Sequence, residues 1–138
     1  MHPRAFPDDF FTQPDPATRT GLRLAIPLPA ATQGVSLWDS LAPELAGLDG
    51  FSPIAHLVFE LPAALDPDSV PRTPAESLDP LASVALLDLD PASPRYGARV
   101  PFRLELRSDV TRAGLAGASA LVFPSIPLEP GGRYGLVV

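Results

Sequence analysis

The sequence predicts an all-β domain, a sandwich of about seven short strands preceded by an extended N-terminal arm. Three observations lead there. Nineteen prolines are spread over 138 residues, and proline breaks helix interiors and is confined to the edges, ends and turns of sheets. The segments left between these prolines and ten glycines include apolar runs of strand length. Several of the runs alternate apolar with polar residues, the period-two pattern of a half-buried strand.

The opening stretch FPDDFFTQPDPATRTGLRLAIPLP sets Phe6, Phe10 and Phe11 among prolines and aspartates, a composition unsuited to helix. Its aromatic rings need cover, so residues 1–21 are expected to lie as an extended arm on the sandwich formed by residues 22–138. A strand is expected near Leu22–Leu28, where Leu22, Leu24 and Ile26 alternate with Arg23 and Ala25. In SLWDSLAPELAGL, Leu37, Leu41, Leu45 and Leu48 recur at helical spacing. Pro43 divides that run, so one short helical segment of at most one or two turns is expected near 37–47. Trp38, the single tryptophan, is expected to pack against the sheet edge; stacking on a ligand is the alternative.

The remaining strands follow in order. In IAHLVFELP, Ala55, Leu57, Phe59 and Leu61 form the expected core face, with Ile54, His56, Val58 and Glu60 opposite. SVALLDLD reads as a nearly continuous apolar strand. ARVPFRLELRSD alternates, with Phe102, Leu104 and Leu106 facing away from Arg103, Glu105 and Arg107. ASALVFPS and GRYGLVV supply two more strands, and turn signals separate them all. This count and rhythm are those of an immunoglobulin-like sandwich, with a small barrel as the competing arrangement.

Composition narrows the function classes. Hydrophobic residues make up 46% and charged residues 19%, which is the balance of a folded domain. Net charge is −6, and all ten basic residues are arginines scattered along the chain. No basic cluster tracks a phosphate backbone, so nucleic acid is not an expected partner. There is no cysteine, which excludes disulfides, thiolate chemistry and sulfur-ligated zinc. No apolar stretch is long enough to span a bilayer, and the start, MHPRAFPDDFF, has no signal-peptide core.

Catalytic patterns are equally sparse. The sequence contains no G-x-S-x-G pentapeptide, and its two histidines are His2, near the terminus, and His56, within a strand. No catalytic residue, cofactor or metal is therefore assigned. Among eleven aspartates, Asp66 with Asp68 and Asp88 with Asp90 have the spacing that can present two oxygens to a calcium ion. Turn capping explains the same aspartates without a metal and is the favoured reading. Tyr96 joins Trp38 as a candidate stacking surface for a sugar.

The closing motif LEPGGRYGLVV is a turn leading into a strand: Pro130 sets φ, Gly131 and Gly132 supply positive φ, and Tyr134, Leu136 and Val138 share a face. The layout is similar to a tyrosine corner, in which the phenol caps nearby backbone. Together with Ile54, Val58 and Phe59, then Leu65, Asp66, Ser69 and Val70, this motif resembles the bacterial Ig-like domains of the S-layer-protein type. Upstream, DPATRTGLR and LDGFS resemble the region that precedes such a domain in secreted bacterial lipase-like hydrolases. No catalytic residue of a hydrolase matches here. The resemblance implies a noncatalytic accessory module of a larger exported bacterial protein, with a lipase- or esterase-like domain as one continuation. It implies a spacer, docking or stabilising role beside a neighbouring domain of the same polypeptide, in an extracellular, periplasmic or cell-surface location. A module binding an extracellular glycan, polymer or cell-surface ligand is the alternative.

Overall fold

The computed structural model describes residues 5–27, 36–61, 65–107 and 118–138. Among them are eight strands and two α-helices, one of these a single turn, so the chain is predominantly β. The strands are β1 (Ala5–Phe6), β2 (Thr12–Pro14), β3 (Leu22–Leu24), β4 (Leu57–Leu61), β5 (Ala85–Asp88), β6 (Phe102–Arg107), β7 (Ala118–Pro124) and β8 (Tyr134–Val137). The helices are α1 (Ser36–Ala46) and α2 (Pro74–Ser77). The chain groups into two compact units, Pro7–Ser52 and the remainder.

In the larger unit, four strands form an antiparallel sheet in the order β1-β4-β7-β6, and β5 pairs antiparallel with β8. Residues 98–100 join the second group, because the Val100 N–H donates to the Leu86 carbonyl and the Asp88 N–H to the Ala98 carbonyl. The chain then passes Pro101 and continues as β6 of the four-stranded sheet, so one extended path serves both sheets. Proline suits the crossing point because it has no N–H to leave unpaired. The expected faces hold at the residues that follow, while the side chain of Leu61, expected on the core face, lies outside the described residues. Phe59, Phe102 and Leu104 are buried, Leu57 and Leu106 pack beside them, and Arg103 and Arg107 are exposed. Val70, Val84, Leu86, Val100, Ala120 and Val122 complete a single core cluster to which both sheets contribute.

α2 is not among the elements that periodicity predicts, although its capping signal is in the sequence. Thr73, Pro74 and Glu76 spell an N-cap, a first-turn proline and the reciprocal glutamate of a capping box, and both halves of that box form. The helix closes a sheet edge. The Ser125 N–H donates to the Pro101 carbonyl, which makes Phe102 and Pro124 a non-hydrogen-bonded pair and turns the Phe102 N–H away from β7. Ser77, fully buried, accepts that N–H on Oγ at 3.0 Å while donating to the Pro74 carbonyl at 2.7 Å. Ser77→Ala leaves a buried N–H without an acceptor and is expected to cost about 1–3 kcal/mol. A urea midpoint equal to that of the parent protein would show that the edge is closed in another way.

The Pro7–Ser52 unit departs further from expectation. The stretch expected to be an extended arm contains a 3-10 turn at Asp9–Phe11, capped by the Asp8 carboxylate, and then β2, which pairs with β3. The expected boundary between residues 21 and 22 falls inside this hairpin. β3 ends at Leu24 rather than continuing to Leu28. Phe10 is 77% exposed, its ring edge-on to Phe11, so the expected cover is not found there. α1 is a continuous eleven-residue helix that contains Pro43, longer than the one or two turns expected. The proline sits close to the C-terminal end, where one forgone backbone hydrogen bond interrupts little further helix.

Two carboxylates link stability to pH in the direction of acid loss. The Arg23 side chain, hydrogen-bonded to Asp15 at 2.5 Å, and the Ala17 N–H hold the Asp15 carboxyl below its ordinary value. Backbone donation from Arg72 and then Thr73 does the same for Glu76 in the α2 cap. A carboxylate whose folded pKa is depressed adds stability that is present above its unfolded pKa and is lost as pH falls through the folded value. These two groups should therefore add no change in melting temperature above about pH 5 and lower it below about pH 4, less steeply in Glu76→Gln. A variant that follows the parent's acid limb at every pH would remove Glu76 from this account.

Candidate functional site

Of the residues marked by sequence, the two aspartate pairs lie in separate turns and Trp38 in a helix. Asp66 accepts from the Asp68 N–H through Oδ1 at 2.9 Å, and its carbonyl accepts from the Ser69 N–H and hydroxyl. The Asp68 carboxylate instead contacts the Arg72 guanidinium, one helical turn's separation along the chain. Trp38 lies in α1, and its side chain is outside the described residues. His56 packs its ring against Phe123 with centroids 4.4 Å apart, and the Arg103 guanidinium lies over the same Phe123 ring.

The second aspartate pair has more structure around it. Asp88 is only 2% exposed at the end of β5, because the loop that follows turns back and supplies its oxygens with donors. Oδ1 accepts from the Asp90 N–H at 3.0 Å, and Oδ2 accepts from the Ser93 hydroxyl at 2.6 Å. The Asp88 backbone carbonyl also accepts from the Gly97 N–H at 2.7 Å, and Gly97 takes the positive φ of 78° that closes the loop. Asp90 in turn accepts from the Ala92 N–H through Oδ1. Both aspartates therefore hold turns. Among the described residues, no group of three or more histidine or acidic side chains is placed to hold a metal ion.

Beside this loop runs the turn entering β8. The Tyr134 hydroxyl oxygen accepts from the Glu129 N–H at 2.9 Å, the backbone capping expected of the closing motif. Its two glycines have different reasons. Gly131 has φ of 76°, whereas Gly132 does not adopt positive φ and is needed for space: a Cβ there would lie 2.9 Å from the Tyr134 ring and 3.0 Å from the Glu129 carbonyl. Leu136 packs on the core with Tyr134, but Val138 is 57% exposed and lies beyond the last residue paired with β5.

The two turns together line a groove of about 300 Å³, whose walls include Asp88, Asp90, Ser93, Arg95, Glu129 and Tyr134. Arg95 and Glu129 approach to 3.6 Å across it, both substantially exposed. Tyr96, the expected stacking residue, is 64% exposed and is not among the residues lining the groove. The sequence marked Asp88 and Asp90 but not Arg95 or Glu129, since nothing local pairs residues so far apart along the chain. The groove offers acidic, guanidinium and phenolic groups. No family model matches the chain, and no curated protein or solved structure is significantly similar to it.

Proposed function

We propose that the chain is a noncatalytic, immunoglobulin-like sandwich module that acts as a spacer, docking or stabilising domain within a larger exported bacterial protein. The observation that supports this reading most is how its polar groups are used. The Asp66 and Asp88 oxygens and the Ser69, Ser77 and Ser93 hydroxyls all hydrogen-bond within turns or at a sheet edge. Groups committed in this way define a rigid scaffold; the Ser93 hydroxyl does donate to the Asp88 carboxylate, but that carboxylate is itself held by the Asp90 N–H as part of the turn. The single core shared by both sheets supports the sandwich arrangement. A lipase- or esterase-like domain is the neighbour that the sequence resemblance implies, with the module lying on the exported side of the cell membrane.

Assaying the purified chain against short-chain nitrophenyl esters and nitrophenyl glycosides tests the proposal. The expected result is hydrolysis at the buffer rate. Turnover abolished by a single substitution in the chain would overturn it.

A further inference from the structure

We infer that the groove between the 88–97 loop and the β8 turn binds a small neutral polyhydroxylated ligand, a hexopyranose unit in chemical class. The hydrogen-bonding capacities that remain open once the internal bonds are made match such a ligand. The Tyr134 oxygen accepts from the Glu129 N–H, and among the described residues its own proton has no acceptor. Asp90 Oδ1 is taken by the Ala92 N–H, while Oδ2 has no donor among the described residues. Arg95 and Glu129 form a salt bridge at 3.6 Å, too long for a direct hydrogen bond, so the guanidinium N–H groups and the carboxylate oxygens keep hydrogen-bonding capacity toward a guest.

The open set thus holds donors, from Tyr134 and Arg95, and acceptors, from Asp90 and Glu129, around one volume. A sugar hydroxyl both donates and accepts, so adjacent hydroxyls can satisfy a carboxylate and a guanidinium together. An ammonium ligand would leave the donors unused, and an anion would meet the carboxylates. The cavity of about 300 Å³ is at the lower end for small-molecule sites, the size of one ring rather than a chain. Asp88 contributes by position: buried and bonded to Asp90 and Ser93, it holds the loop in place before a ligand arrives. The inference concerns a ligand site and does not depend on the proposed accessory role.

The test is amide NMR titration of the full chain with D-glucose, D-galactose and D-mannose separately, and with calcium chloride. At least one sugar should shift the amides of residues 88–97 and 129–134 saturably. Millimolar affinity is the appropriate range for a ligand of about a dozen heavy atoms in an open groove. Asp90→Asn, which keeps the oxygen that caps Ala92, and Arg95→Met should each weaken binding about tenfold or more with the melting temperature unchanged. No saturable shift with any of the three sugars overturns the assignment. So does a response that survives both substitutions, and so does saturation by calcium in place of sugar.

Discussion

Phe102→Ala should destabilise the protein by about 3–5 kcal/mol, the range for emptying a phenylalanine site in a packed core. Phe102 is fully buried where the extended path, having run beside β5 over residues 98–100, enters the four-stranded sheet, and it belongs to the core cluster that both sheets share. Removing the ring takes contacts from both sheets at once, and neighbours anchored in two directions can collapse only partly into the void. Since domain stabilities are about 5–15 kcal/mol in total, the variant should unfold at a much lower urea concentration or fail to fold at room temperature. Phe102→Leu, which keeps most of the volume, should lose considerably less. Equal losses in the two variants would show that shape at this position matters more than the cavity left behind.

Truncation after Gly132 should be comparably severe, for a different reason. It removes β8, whose Tyr134 and Leu136 pack on the core, and takes away the hydroxyl that accepts the Glu129 N–H. Side-chain transfer alone accounts for roughly 2–4 kcal/mol, given that both residues are only partly buried. The loss also opens β5 along four paired residues, exposing backbone groups that invite pairing with another chain. Aggregation should accompany unfolding, seen as concentration-dependent scattering below the parent's melting temperature. Deleting Val138 alone should change stability by less than about 0.5 kcal/mol, because that side chain is already largely in solvent. A truncated chain that melts cooperatively at the parent's temperature would make β8 dispensable.

Alternation alone puts Tyr134, Leu136 and Val138 on one face and counts all three as covered. Pairing decides otherwise, since β5 supplies no partner for Val138.

The sequence by itself determined the class of the fold, because proline spacing excludes long helices and period-two alternation is a local property readable along each strand. It determined the inward faces, with Phe59, Phe102 and Leu104 all buried as their alternation requires. It also determined the capping of turns by Asp66, Asp88 and Asp90, since an aspartate reaches backbone donors two residues ahead whatever the rest of the chain does. The helix α2 was equally written in its Thr-Pro-x-Glu cap. The tertiary structure alone decided the strand order β1-β4-β7-β6, the crossing at Pro101 and the use of Ser77 to close the β6 edge. It alone brought Arg95 and Glu129 to one groove and buried Asp88 beneath its own loop. Local patterns specify conformation and facing through nearest-neighbour sterics and hydrogen bonding. Partnership between distant segments is set by the burial and hydrogen bonding of the whole unit, and no short stretch of sequence carries it.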